Sequence, residues 1–203
     1  MGIIPDTETI VALHKRYASF AKADLFDLVF THCQIVCEIA MQCADNTDEP
    51  VDREILRAAA LLHDIGSYPF FDEQGHTDGY GFYPMHALLG ARLIADEGFD
   101  ARIAEAVENH LLLGLSKREI AANTSRVWPL PRHDYLPKSI EAEIVCYADR
   151  FHSKQPVFNG YESFLQRLEF DMPDQAAAFK ADAKRFGVPD VAALAQKYNQ
   201  KIR

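Results

Sequence analysis

The strongest constraint on what this chain can fold into is a repeated misfit: five apolar stripes of helical period each run into a histidine or an aspartate. One stripe reads Leu25, Leu28, Val29 and His32, at i, i+3, i+4 and i+7, and continues through Val36, Ile39 and Ala40. A second runs Leu56, Ala59, Ala60 and His63, with Asp64 four residues beyond Ala60. A third sets His86 on the face of Leu89, Gly90 and Leu93. Ile103, Ala106 and Val107 lead to His110, and Ala142, Val145 and Cys146 lead to Asp149. No segment shows convincing β alternation, so the pattern predicts an all-α protein in which these polar groups point inward.

One core histidine is unremarkable. A buried carboxylate without partners costs several kcal/mol or shifts its pKa until it is neutral. Two aspartates and four histidines aimed inward therefore call for a shared counter-ion, and a divalent metal satisfies them together. Nitrogen and oxygen ligands without thiolate favour Fe, Mn, Zn, Co or Ni over calcium, magnesium or an iron–sulfur cluster. The set exceeds what one ion needs if a position is left for water, so one or two ions are expected.

Helices are predicted over 7–23, 25–44, from about Asp52 through His63-Asp64, 84–97, 100–112, a short one from Ser116, and 139–153. The remainder reads as two or three amphipathic helices broken at Pro173 and at Gly187–Pro189. Pro5-Asp6 is a start signal, and Ser116 with Glu119 is a capping box. Two segments interrupt the pattern: the glycine- and aromatic-rich stretch from Gly66 to Phe82, and the proline-rich VWPLPRHDYLP. A single domain over 1–203 is expected, with its core at about 26–152 and the helices of 156–203 packed on it.

A net charge of −9 repels nucleic-acid backbones, which disfavours a nucleic-acid partner but not a small phosphorylated substrate met by a metal. No apolar run approaches membrane-spanning length, and MGIIPDTETIV lacks the regions of a secretory signal, so a cytoplasmic location without membrane contact is expected. Cys33, Cys37, Cys43 and Cys146 form no CxxC and are read as reduced, mostly buried small hydrophobes. Self-association as a homodimer is left open.

The sequence LLHDIG, Leu61 to Gly66, resembles the HD superfamily of metal-dependent phosphohydrolases in its HDIG-motif variety. The ordered set His32, His63-Asp64 and Asp149 is similar to that family's H…HD…D signature, and His86 and His110 match two further histidines of its binuclear members. MHALLGARLI and IVCYADRF agree in context, and the resemblance covers about Phe26 to His152. It implies a helical bundle with a long loop after the HD motif. It implies that His32, His63, Asp64 and Asp149 hold one metal, and that His86 and His110 hold a second with Asp64 as bridge. Asp64, His86 and His110 are thereby the catalytic candidates. The implied activity is hydrolysis of a phosphate ester or anhydride of a nucleotide-like small molecule by a metal-activated hydroxide. Where many family members carry Lys or Arg after the HDIG glycine, this chain has Ser67, so the phosphate contact is sought among Lys117, Arg118, Arg150 and Lys154.

Other residues carry plainer readings. His14 and His133 are expected at the surface, and His152 either lines the pocket or faces solvent. His76, with Asp72 and Asp78, is read as part of a lid or recognition loop. Tyr68, Phe70, Phe71, Tyr80, Phe82 and Tyr83 either cover the core or stack on a base. Two rivals use the same residues: an HD-type diiron oxygenase, and a catalytically silent nucleotide-binding module.

Overall fold

Several of the helices start where a side chain satisfies one of the first free amides. In the computed structural model, which describes residues 2–21, 23–77, 81–122 and 129–203, Asp6 accepts the Thr9 amide at 2.8 Å and opens α1, Thr7–Ala18. Helix α2 spans Phe26–Asn46, and Asp52 caps α3, Arg53–Leu62, through the Ile55 amide at 3.3 Å. After two single-turn 3₁₀ segments, Tyr68–Phe70 and Tyr83–Met85, come α4, His86–Asp96, and α5, Ala101–Asn109. The capping box forms at α6, Lys117–Ala122: the Ser116 amide donates to Glu119 Oε2 at 2.9 Å, and the Glu119 amide to Ser116 Oγ at 3.2 Å. Ser139 caps α7, Ile140–Asp149, and the chain continues through α8, Tyr161–Asp171, α9, Pro173–Phe186, and α10, Val191–Tyr198.

The protein is all-α, as the periodicity predicts. Its sheet is three strands of two residues, β1 His152–Ser153, β2 Val157–Phe158 and β3 Lys201–Ile202, with β1–β2 antiparallel and β2–β3 parallel. The last predicted core helix therefore ends at Asp149 instead of Ser153. The cause is Asn159, whose side-chain amide donates to the Arg150 carbonyl at 2.7 Å while its backbone amide donates to the Phe151 carbonyl at 2.9 Å. These bonds replace helical ones and turn the chain into β1. The part of the glycine- and aromatic-rich stretch from Gly66 to Thr77 has more order than its composition suggests: Phe71 bridges Thr77, and Asp72 Oδ1 accepts the amides of Gln74 and His76 at 2.9 and 2.8 Å. Asp78, Tyr80 and the start of the proline-rich segment, 127–128, lie outside the described residues.

Helix α2 packs chiefly on α3 and α7, and α4 on α5. The buried apolar cluster runs from Ile10 to Ala195, including Val29, Val36, Ile39, Leu56, Ala59, Ala60, Ile103, Val107 and Val145 from the predicted stripes. All four cysteines are free, three of them buried, and burial pushes the Cys43 thiol up to about 12. Among the described residues no helix is long and apolar enough to cross a membrane.

His14 overturns its surface reading: it is wholly buried. Its Nε2 donates to the Leu61 carbonyl, one of the free acceptors at the end of α3, at 2.8 Å, and its Nδ1 accepts from the Tyr68 hydroxyl at 2.8 Å. A neutral ring satisfies both contacts, and burial holds the pKa down to about 4. An unfolded His titrates near 6.5. As pH falls from 6.5 toward 4, the unfolded chain takes up a proton that the folded one refuses, so stability falls by about 1.4 kcal/mol per pH unit. Urea unfolding in EDTA is expected to show wild type losing about 2 kcal/mol more than His14→Asn between pH 7 and pH 5. Parallel pH profiles would show that His14 is not held neutral.

Candidate metal centre

The polar residues predicted from the stripes meet at one place, mostly at helix ends. His32 lies within α2, and His86 is the first residue of α4. His63 caps the C-terminal end of α3, with Asp64 next, His110 caps that of α5, and Asp149 is the last residue of α7. The helices predicted to run through Asp64 and to Leu112 stop earlier, at Leu62 and Asn109, so His63 and His110 each sit one step past a helix. Three C-terminal helix ends, each carrying a partial negative charge, point at the same small volume and favour a cation there.

The same positions select the histidine tautomers. His63 Nδ1 donates to the Ala60 carbonyl at 2.8 Å and His110 Nδ1 to the Val107 carbonyl at 2.6 Å, both acceptors left free in a last helical turn. His86 Nδ1 likewise donates to the Tyr83 carbonyl at 2.6 Å. With the proton fixed on Nδ1, each Nε2 presents a lone pair inward, the arrangement that orients ligand histidines in metal sites.

Asp64 stands between two groups of such lone pairs. Its Oδ2 lies 3.2 Å from His32 Nε2 and 3.3 Å from His63 Nε2. Its Oδ1 lies 3.1 Å from His86 Nε2 and 3.8 Å from His110 Nε2. Asp149 Oδ1 joins the first group at 3.0 Å from His32 Nε2 and 3.6 Å from His63 Nε2, while Arg150 pairs with its other oxygen. Within the groups, His32 Nε2 and His63 Nε2 are 3.2 Å apart, and His86 Nε2 and His110 Nε2 are 2.9 Å apart. Asp64 Oδ1 is a buried carboxylate oxygen without a hydrogen-bond partner. Acceptors facing acceptors at these distances fit a cation, and two clusters sharing Asp64 could each hold an ion: His32, His63 and Asp64, and Asp64, His86 and His110.

Charge follows the same logic. Burial would raise Asp64, but Lys154, whose ammonium pairs with Oδ2, and His63 hold it well below the usual carboxylate range. Burial would lower His63, yet Asp64 beside it raises it well above the ordinary histidine value, so until a cation displaces it a proton is shared between His63 Nε2 and Asp64. His110 lies well below that value, from burial and then from His86 and His63.

Two glycines allow the clusters to meet. A Cβ on Gly66 would stand 2.3 Å from the His86 carbonyl oxygen and 2.4 Å from the Gly90 amide nitrogen. One on Gly90 would stand 2.9 Å from Val107 Cγ1. The HDIG glycine therefore lets the end of α3 touch the start of α4, which sets Asp64 beside His86.

Over the centre lie an inner cavity of about 190 Å³, lined by Asp64, His86, His110, Asp149, Arg150 and Lys154 among others, and an outer one of about 670 Å³. Phe71, His76, Tyr83, Asn159 and Phe164 line the outer cavity, together with Arg150 and Lys154. Of the four cations considered for phosphate, Arg150 and Lys154 are in place. Lys117 and Arg118 are not: both are exposed on α6, outside these cavities, with Arg118 paired to Asp174 at 3.2 Å. Ser67 is buried and is not among the residues lining either cavity. His152 is buried and lines the outer cavity, with Nδ1 2.8 Å from His32 Nδ1, whereas His133 is half exposed beside Glu108. Tyr68 belongs to the core and Phe82 is exposed; among the described loop aromatics, Phe71 and Tyr83 line the outer cavity.

An all-helical bundle closing on a histidine–aspartate centre defines a class of metal-site proteins, and comparison with known proteins gives the family. The HD domain model matches residues 29–154, and the chain belongs to that family. It is similar to the tRNA (cytidine(56)-2'-O)-methyltransferase of Picrophilus torridus, 34% identical over 66% of this chain and 34% of that protein. An uncharacterized protein of Methanocaldococcus jannaschii is 35% identical over 60% of this chain and 64% of that protein. The chain thus spans about a third of the first relative and just under two thirds of the second. In fold it is similar to the HD domain of the L. monocytogenes phosphodiesterase PgpH in complex with cyclic-di-AMP, with TM-score 0.55 at 17% identity over 95% of this chain and 99% of that one.

Gly66→Ala tests the close approach. The added methyl meets backbone, which cannot rotate away, so a destabilisation of about 3 kcal/mol by urea unfolding is expected. A stability within 0.5 kcal/mol of wild type, about the scatter of neutral surface changes, would show that α3 and α4 separate freely.

Proposed function

We propose that the protein is a metal-dependent phosphohydrolase acting on a phosphate ester or anhydride of a nucleotide-like small molecule. The observation that carries the reading is Asp64, fully buried, with one oxygen toward each histidine pair beneath a cavity that also holds Arg150 and Lys154. In this reading His32, His63, Asp64 and Asp149 hold one divalent transition-metal ion, and His86 and His110 hold a second with Asp64 as bridge. The bound metal supplies a lowered water pKa and positive charge against the attacked phosphoryl group.

The remaining work falls to the chain. Lys154, raised above its usual pKa by Asp64 despite its burial, enters the cavity as a fixed cation and is the phosphate contact in this reading. Arg150 contributes a second donor set beside Asp149. Phe71 and Tyr83 offer aromatic faces for a base, and the 670 Å³ outer cavity has room for a nucleotide-sized ligand. The cyclic-di-AMP bound by the similar PgpH domain supports a small phosphorylated substrate, and the net charge of −9 disfavours a nucleic-acid one.

The test is phosphate or nucleotide release from a panel of phosphorylated metabolites with Mn²⁺, Fe²⁺ or Zn²⁺, together with metal analysis. Asp64→Ala is expected to reduce release to background while staying folded, and His133→Ala to leave it unchanged. Lys154→Met is expected to raise KM by the equivalent of about 1.5–3 kcal/mol, the worth of a hydrogen bond to a charged group. Full turnover by Asp64→Ala, or oxygen consumption without phosphate release, would overturn the reading.

A further inference from the structure

His32 is the one histidine of the cluster that its own backbone cannot orient. It lies inside α2, where the carbonyls of the preceding turn are engaged by helical amides. His63, His86 and His110 each give their Nδ1 proton to a backbone carbonyl three residues earlier. His32 Nδ1 instead faces His152 Nδ1 at 2.8 Å, and His152 Nε2 faces Gln200 Oε1 at 2.8 Å.

Counting protons along this line fixes its direction. The Gln200 carbonyl oxygen only accepts, so His152 Nε2 donates to it. A neutral His152 ring then has a lone pair on Nδ1, which accepts from His32 Nδ1–H and leaves the His32 Nε2 lone pair pointing at Asp64 and Asp149. The reverse direction would put the His32 proton on Nε2, where it would block a metal. We propose that Gln200 and His152 are positioning residues that set the His32 tautomer for metal binding. The inference rests on the metal reading of the preceding subsection.

The fold places Gln200 for this task. Asn199 takes a left-handed conformation, φ 50°, at the end of α10, and the Gln200 amide donates to the Ala195 carbonyl at 2.9 Å. The chain then enters β3, which pairs with β2, which in turn pairs with β1 carrying His152. The small sheet thus ties Gln200 to the metal cluster. The His152 ring is itself held, stacked on His32 with centroids 5.1 Å apart and edge-on to Phe158 at 4.8 Å.

The experiment is titration of the full chain with Mn²⁺, comparing wild type, His32→Ala, Gln200→Leu, Gln200→Glu and His152→Phe. The visible spectrum of the Co²⁺-loaded protein and melting in EDTA are recorded alongside. The binding step that His32→Ala removes marks the site. Gln200→Leu and His152→Phe, which keep bulk but lose the acceptor, are expected to weaken that step roughly 10- to 100-fold and to shift the Co²⁺ bands, with little change in the EDTA melt. Gln200→Glu, a stronger acceptor, is expected to retain wild-type affinity. An unaltered step in Gln200→Leu, or equal weakening by Gln200→Glu, overturns the relay and leaves the metal reading standing. A wild-type protein with no step sensitive to His32→Ala overturns both.

Discussion

The Asp64 carboxylate is the constraint around which the rest is arranged. A charge removed from water this completely must be compensated by neighbours, because solvent cannot do it. Lys154 pairs with Oδ2, and the histidine pairs that face Oδ2 and Oδ1 frame two positions where a cation would complete the compensation. Those side chains come from α2, the end of α3, the start of α4, the end of α5 and the turn between β1 and β2, so satisfying one residue dictates how five elements converge. Gly66 and Gly90 are the steric counterpart: Gly66 lets the end of α3 reach the start of α4, and Gly90 leaves room between α4 and Val107 of α5.

Helix ends do two jobs in this centre. A helix terminates with unpaired carbonyls, which need donors. At α3 and α5 the donor is the site histidine itself, and the bond that finishes the helix is also the bond that fixes the proton on Nδ1. His14 finishes another α3 acceptor, the Leu61 carbonyl, from the far side. Helix termination and orientation of the site histidine are therefore one interaction at these two stops.

Much of this was legible in the chain because polar residues at stripe positions are conspicuous. His32, His63, His86, His110 and Asp149 each interrupt an apolar 3.6-residue pattern, and the structure brings all five to Asp64. The same signal was present for His14, which follows Ile10 by four residues on α1, but a single histidine on a short stripe does not separate burial from exposure. His152 was ambiguous because a two-residue strand has no period to read. Gln200 carried no signal, since its role depends on a sheet whose strands lie far apart in sequence. Lys117 and Arg118 were grouped with Arg150 and Lys154 by charge alone, and only tertiary placement separates a cation on exposed α6 from one after α7.

The line from His32 to His152 spans 120 residues of chain, and that from His63 to His32 spans 31. Closing such long loops is entropically slow and precedes any reward from the contacts made. Local pieces such as α4 with α5 can form early, but they supply only one side of Asp64. The inward lone pairs assemble late, after the helices have docked. Ion capture by such a centre would consequently report completed topology: a kinetic record of metal uptake during refolding would time the docking of the last elements, not the formation of the helices.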